Sequence, residues 1–385
     1  MDFKKTEEQE LLLESLREVV RRYGTEEYIR ECDEKGESPR KLNEALHEAG
    51  FDMLGVPEEY GGTPCDTLTL MMYHEEFARI CSGAYACECT ALAMADMIKF
   101  GSEKQIQDCV DAINELKTPF CLGFTEPQAG SDSSGISTTF TRKNGKVYIN
   151  GRKTFISRID NANYMLCMTK DPSAPKDKAF TTWWVPMNAP GISYKPIPKV
   201  GWHMVHSCEV TLDNVELDES DIVGVEGKGF VNVMKNFEIE RLVMSATALG
   251  EATMAFEDAV VYAGQREQFG RPIGDFQLIQ EKLVDMATKI ENMRGLVYKS
   301  AWMEDNGIPV NTMAAMTKRY CARASFEVVN DAMQIFGGIG YSSDLRISRV
   351  WRNNRICGIG GGTEEIMVHI AGRSLVKQYK NFQPL

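Results

Sequence analysis

Hydrophobic periodicity changes twice along this chain, and the order of those changes constrains the fold more than any single motif. From residue 6 to about 118 the apolar residues repeat at helical spacing. Thr6-Glu7-Glu8-Gln9 reads as a capping box, and Leu12, Leu13, Leu16, Val19 and Val20 form a stripe behind it. From 119 to about 227 the pattern is that of strands, with turn signals at Asn144-Gly145 and Asn150-Gly151. Further strands are read around Phe180 to Val185 and at Cys208-Glu209-Val210-Thr211-Leu212. From 228 to 385 it is helical again, with long stretches at 229–265, 278–306 and 312–336. Helices, then strands, then helices predict an α+β fold, mostly α, in three parts: 1–118, 119–227 and 228–385. No crossover helices separate the strands, so the middle part is expected to be an antiparallel sheet or small barrel. The same segregation excludes a doubly wound nucleotide fold. Gly337-Gly338-Ile339-Gly340 and Gly358-Ile359-Gly360-Gly361-Gly362 follow no strand of a βαβ unit and are read as turns between helices.

Charge narrows the partners. The formal net charge of −12 argues against a nucleic-acid or acidic-membrane surface, both of which require a basic footprint. No apolar run approaches a membrane span, and the start reads directly into an amphipathic helix rather than a signal peptide. The eleven cysteines are scattered and read as reduced thiols of a cytoplasmic protein. Cys87 and Cys89 lack a second pair of ligands, and His203 and His206 lack a third, so no metal is expected. The methionines between Met71 and Ala95 read as a buried helix face.

Chemistry concentrates in two short stretches of the middle part. In Phe124-Thr125-Glu126-Pro127-Gln128-Ala129-Gly130-Ser131-Asp132, Gly130 lets the backbone approach a phosphate and the amides around Ser131 form an anion nest. Thr125 offers a hydroxyl and an N–H to the edge of a ring that gains charge on reduction. In Lys153-Thr154-Phe155-Ile156-Ser157, Phe155 and Ser157 stand two apart on a strand and present a ring and a hydroxyl to one face. Together they read as a flavin site with an acyl thioester site beside it.

With these motifs, the Gly55–Gly62 loop, Arg266-Glu267-Gln268-Phe269-Gly270, Ile273, Phe276-Gln277 and Gln334-Ile335-Phe336-Gly337-Gly338, the chain resembles the acyl-CoA dehydrogenases over essentially its full length. The resemblance implies a helical domain, a middle β-domain and a C-terminal four-helix bundle, assembled as a homotetramer around FAD. It implies that Leu122, Phe124 and Thr125 line the flavin edge, and that Gly130 and Ser131 serve the pyrophosphate region, with Ser131 also on the substrate side. Phe155 would stack on the isoalloxazine and Ser157 would bond near its N5. These two depart from the commoner tryptophan and threonine but keep a ring face and a hydroxyl. Arg266, Phe269 and Gln277 would reach a neighbouring subunit's FAD, Gln334 and Gly338 its adenine–pyrophosphate arm, and Thr363 and Glu365 fall at flavin-side positions. Arg266 offers a planar fork to a diphosphate.

The reaction the resemblance implies removes the α-proton of an acyl thioester while a hydride leaves the β-carbon. A carboxylate base and donors to the developing enolate are therefore needed. Many members carry the base in a Glu-Gly-Thr segment near the C-terminus, and here that glutamate is replaced by Gly361. In the isovaleryl- and long-chain-type branch the base stands just before an arginine, a position matched by Glu240 in Glu238-Ile239-Glu240-Arg241. Glu240 is therefore the expected base, its pKa raised by desolvation, with the Gly361 N–H on the thioester oxygen. Arg241 is expected to anchor the coenzyme A end or the start of its helix, and Glu238 to bond the pantetheine chain.

Strings such as Cys208 to Asp218, Ala255 to Ala259, Phe276 to Lys282 and Arg346 to Arg352 resemble the crotonobetainyl-CoA reductase branch. A trimethylammonium substrate would want aromatic or acidic neighbours, for which Tyr73, Tyr85 and Glu88 are candidates. The partner implied is an electron-transfer flavoprotein, whether the enzyme oxidises an acyl-CoA or reduces an enoyl-CoA. An acyl-CoA oxidase and a non-catalytic acyl-CoA-binding subunit are the alternatives.

Overall fold

The computed structural model describes residues 4–81, 90–175 and 178–380. Cys87, Cys89, Tyr85 and Glu88 lie outside the described residues.

Six helices come first: α1 (Glu7–Tyr23), α2 (Glu26–Lys35), α3 (Arg40–Glu48), α4 (Thr67–Ile80), α5 (Thr90–Phe100) and α6 (Glu103–Asn114). The capping box at Thr6 is formed, with Gln9 N donating to Thr6 Oγ1 and Thr6 N to Gln9 Oε1. Leu13, Leu16 and Val20 of its stripe are buried. In α4, Met71, Met72 and Tyr73 are core residues, as the methionine-rich pattern implies. Tyr73 lies between Phe51 and Phe77, stacked on both, and is 2 % exposed, which leaves no ring face for a cationic substrate.

The middle strands are β1 (Cys121–Gly123), β2 (Thr139–Lys143), β3 (Lys146–Ser157), β4 (Tyr164–Lys170), β5 (Phe180–Pro186), β6 (Ile192–Pro196) and β7 (Ser207–Leu217). They form two sheets, ordered β1-β4-β5 and β2-β3-β7-β6. All pairings between them are antiparallel except β1–β4, which is parallel because the chain enters from the helices alongside β4 and returns to it only after the β2–β3 hairpin. Asn144-Gly145 is the two-residue turn the sequence implies, both residues at positive φ.

Asn150-Gly151 is not a turn. It lies inside β3 at a register shift opposite β7, where Asn150 pairs with Asn214. Gly151 is needed there because a Cβ would stand 2.3 Å from Thr138 Oγ1. A dipeptide that usually ends strands here absorbs a bulge within one.

The last part contains α7 (Gly229–Gln265), α8 (Gln277–Asp305), α9 (Asn311–Phe336), α10 (Arg346–Asn354) and α11 (Glu364–Tyr379). Buried alanines of α7 and α9, among them Ala246, Ala252, Ala314 and Ala332, allow these helices to pack closely in one core with Met286 and Met293 of α8. A short hairpin absent from the helical pattern joins α7 to α8: β8 (Glu267–Gln268) and β9 (Arg271–Pro272). Its turn is Phe269-Gly270, both at positive φ. The two glycine-rich stretches lie between helices, the first as a short 3-10 helix (Gly337–Tyr341) rather than a simple turn, the second as the turn that follows another (Arg355–Gly358).

Candidate active site

The two motif stretches of the middle part are joined by a buried ion pair that sequence reasoning did not find. Lys153 Nζ lies 2.8 Å from Glu126 Oε1, and the two side chains are 0 % and 1 % exposed. Lys153 also donates to Met168 O, and the Glu126 carboxylate accepts from Ser137 N, Ser137 Oγ, Thr138 N and Gln128 Nε2. Burial alone would push the Glu126 pKa up. Lys153 and these donors outweigh it and bring it down to about 2. Thr154 N donates to Thr125 O at 2.9 Å, so the loop is stitched to β3 at consecutive residues. The only sequence signal was an acidic residue in one motif and a lysine in the other, with nothing to say that they meet.

This stitching leaves the expected flavin-side groups uncovered. Phe155 lies in the register shift between Lys153 and Ile156, at φ 55°, and its ring is 62 % exposed. An aromatic residue held in the left-handed region costs on the order of 1 kcal/mol, a strain that concentrates at ligand sites. Ser157 is exposed two residues on, its hydroxyl 3.0 Å from that of Ser207. Gly130 and Ser131 are exposed, and a Cβ on Gly130 would meet nothing within 4 Å. Thr125 and Leu122 are half-buried. The ring of Phe124 is buried against Phe230 and Phe237 of α7, so it fixes the loop to that helix.

On the helical side, Arg266, Phe269 and Gln277 are all exposed around the β8–β9 hairpin, Phe269 at 95 %. Gln334 and Gly338 are exposed at the end of α9, and a Cβ on Gly338 would meet nothing within 4 Å. Thr363 caps α11, accepting from Ile366 N, and Glu365 is exposed in its first turn. An exposed ring, open glycine backbone and a guanidinium fork suit a large planar cofactor with a diphosphate.

Glu240 and Gly361 come together across 121 residues of sequence. Glu240 Oε1 lies 3.6 Å from where a Cβ on Gly361 would stand. That Cβ would also meet Met244 Sδ at 2.6 Å, and Gly361 has φ 60°, so glycine is required twice over. Burial pushes the Glu240 pKa above the ordinary carboxylate value, against the pull of Arg241 and Lys318. Gly361 N–H donates to no described group, a half-buried donor still without a partner.

Arg241 lies well inside α7, twelve residues beyond its first residue, so it does not anchor the helix start. It is 4 % exposed, and Nε and Nη1 are buried without a partner. Glu238 accepts from Asn311 Nδ2 at 2.7 Å, so its carboxylate already has one protein donor. Among the described residues no group of three His, Cys, Asp or Glu is placed to hold a metal. His206 pairs with Asp160, and His203 lies against Arg352 and Asp33.

Comparison with known proteins bears on this arrangement directly. Models of the N-terminal, middle and C-terminal domains of acyl-CoA dehydrogenase match residues 6–115, 121–215 and 227–376. The chain is 51 % identical over 384 residues to the probable acyl-CoA dehydrogenase YdiO of Escherichia coli K12, covering 99 % of this chain and all of that one. The chain belongs to the acyl-CoA dehydrogenase family.

As a member of that family it is an FAD-dependent oxidoreductase acting on the CH–CH bond of acyl-CoA thioesters. Solved relatives superpose over nearly its whole length. Butyryl-CoA dehydrogenase from Megasphaera elsdenii is 31 % identical with a TM-score of 0.89, covering 98 % of this chain and 100 % of that one. A chain from a structure of the electron transferring flavoprotein of Acidaminococcus fermentans is 33 % identical with a TM-score of 0.91, at the same coverage. Among the described residues, no helix of this acyl-CoA dehydrogenase is long and apolar enough to cross a membrane.

Proposed function

We propose that Glu240 is the base that takes the α-proton of the acyl thioester, with the Gly361 N–H donating to the thioester oxygen. The observation that carries this is the 3.6 Å approach of Glu240 Oε1 to the Cβ position of Gly361. A carboxylate delivered from α7 occupies the space into which a side chain at 361 would project. Burial raises its pKa and so makes it a stronger base than a solvated glutamate. FAD supplies the hydride acceptor for the β-carbon. The chain's part is to offer Phe155 and Ser157 to the flavin ring, to take the proton at Glu240 Oε1 or Oε2, and to stabilise negative charge on the thioester oxygen at Gly361 N. The free guanidinium edge of Arg241 supports a role in holding the substrate near the base.

The remaining assignments belong to the same reading. Leu122, Thr125, Gly130 and Ser131 would serve the flavin and its pyrophosphate, and Arg266, Phe269, Gln277, Gln334 and Gly338 the FAD of a neighbouring subunit. The exposed Phe269, Leu278, Val284 and Tyr341 support a homotetramer, since apolar groups of this size seldom stand free. The relative from the A. fermentans electron transferring flavoprotein structure supports an electron-transfer flavoprotein as redox partner. The sequence strings that resemble the crotonobetainyl-CoA reductase branch support the enoyl-CoA-reducing direction, on a short acyl group.

A panel of acyl- and enoyl-CoA thioesters tests substrate and direction together. Bleaching of the oxidised flavin by an acyl-CoA, or reoxidation of dithionite-reduced flavin by an enoyl-CoA, identifies each. An acyl-CoA oxidase would form peroxide in air, and a flavin spectrum unmoved by every thioester would make the chain a binding subunit.

A further inference from the structure

Lys318 of α9 is 1 % exposed, and its ammonium is spent on the turn that carries Gly361. Nζ donates to Gly360 O at 2.6 Å and also to Gly362 O, the carbonyls on either side of that residue. Lysine is seldom fully buried, because removing an ammonium from water costs several kcal/mol even after the protein relaxes around it. A turn that needed only a staple could be closed by neutral donors. What an ammonium adds here is direction and charge.

Direction follows from the peptide plane. Gly360 O and Gly361 N–H belong to one planar trans unit and point to opposite edges of it. Holding Gly360 O against Nζ therefore turns Gly361 N–H away from Lys318. The second bond, to Gly362 O, holds the turn again two residues further on, beyond the αL residue Gly361 (φ 60°). Charge acts on the same unit: a cation on the carbonyl draws electron density towards oxygen and makes the N–H a stronger donor. That N–H has no described protein partner.

We propose that Lys318 is a positioning residue for the reaction, holding the Gly360–Gly361 peptide by its carbonyl and the turn again at Gly362 O, so that the Gly361 N–H is aimed and polarised towards the thioester oxygen. This rests on the reading that Gly361 N–H meets that oxygen. Burial lowers the Lys318 pKa to about 8, with Arg241 acting in the same sense and Cys357, Glu240 and Glu364 against it, so at neutral pH the ammonium form is the main one. Glu240 Oε1 approaches the Cβ position of Gly361 at 3.6 Å, between the two carbonyls that Lys318 holds, so the clamp and the proposed base meet at one turn.

The test uses furylacryloyl-CoA, a chromophoric enoyl thioester whose absorption moves to the red when its carbonyl is polarised. Difference spectra are taken on the FAD-loaded enzyme. Wild type and Glu240→Gln are expected to show the red shift, Lys318→Met to lose at least half of it, and Lys318→Arg to keep most of it. With a turnover substrate, Lys318→Met is expected to lower kcat by about 10- to 100-fold, somewhat less than outright deletion of an oxyanion donor, while KM changes less than about threefold. If Lys318→Met does not retain FAD, Lys318→Gln, which keeps a neutral donor without the cation, is read in the same way. A full red shift in the Lys318 variant, with wild type also shifted, overturns the clamp and leaves the Gly361 reading standing. No shift in wild type or in Glu240→Gln overturns the Gly361 reading itself, and the clamp falls with it.

Discussion

Replacing Lys153 by methionine removes the cation from a carboxylate that is itself 1 % exposed. Three donor contacts disappear together: 2.8 Å to Glu126 Oε1, 2.6 Å to Met168 O and a longer 3.4 Å contact to Phe124 O. Removing one partner of a buried pair typically costs about 3–5 kcal/mol, because the other charge stays uncompensated. The depressed Glu126 pKa expresses the same interactions as a pH dependence. Its fall from 4.5 to about 2 corresponds to about 3 kcal/mol of pH-linked stability. The sign follows from a depressed folded-state pKa: this contribution is complete above 4.5 and lost as pH falls towards about 2. Urea unfolding at pH 7, followed by the fluorescence of the buried Trp183 and Trp184, should show Lys153→Met destabilised by about 3–5 kcal/mol. Glu126→Gln should cost a similar amount, and the double variant should fall short of the sum by at least about 2 kcal/mol. Below pH 4 the gap between wild type and Lys153→Met should narrow. A cost below about 1 kcal/mol, or strictly additive variants, would refute the argument that this pair holds the flavin loop to β3.

Glu240→Gln should keep FAD and bind acyl-CoA yet slow flavin reduction by about 10²- to 10⁴-fold in stopped-flow absorbance, the usual contribution of a general base. In wild type that rate should rise with pH through the raised Glu240 pKa, since the ionised form is the base; the variant should lose this limb. Gly361→Ala forces an L-residue into φ 60° against Met244 Sδ and should cost about 2–4 kcal/mol in thermal or urea unfolding. Phe155→Ala should weaken FAD retention on dilution by about tenfold without moving the fold, checked by far-UV circular dichroism. Phe269→Asp should lower the oligomeric state in light scattering and release FAD with it; a holo-tetramer would count against sharing of the cofactor between subunits.

Much of the architecture was legible because period and turn chemistry are local. The stripe on α1, the Asn144-Gly145 hairpin and the long helices of the last part each follow from neighbours within a few residues. The replacement of the usual glutamate by Gly361 and the glutamate before Arg241 could also be read along the chain. Local reasoning failed where tertiary pairing overrode it. Asn150-Gly151 has the composition of a turn, but Asn214 and Thr138 hold it inside a strand. The ring of Phe124 packs on Phe230 and Phe237, about a hundred residues away, partners that no local pattern names. The β8–β9 hairpin is too short to carry a period.

The sequence by itself determined the order of helical and stranded parts and the residue types offered to a flavin. It also pointed to Glu240 as the proposed counterpart of the side chain missing at Gly361. These depend on spacing along the chain. Only the tertiary structure decided which charges lose their water: that Glu126 meets Lys153 in the dry interior, that Glu240 stands over Gly361, and that Lys318 is turned onto the carbonyls around it. Burial and pairing are properties of the packed assembly of distant segments. A carboxylate or an ammonium therefore acquires its strength, and its role in the proposed reaction, only when the fold closes over it.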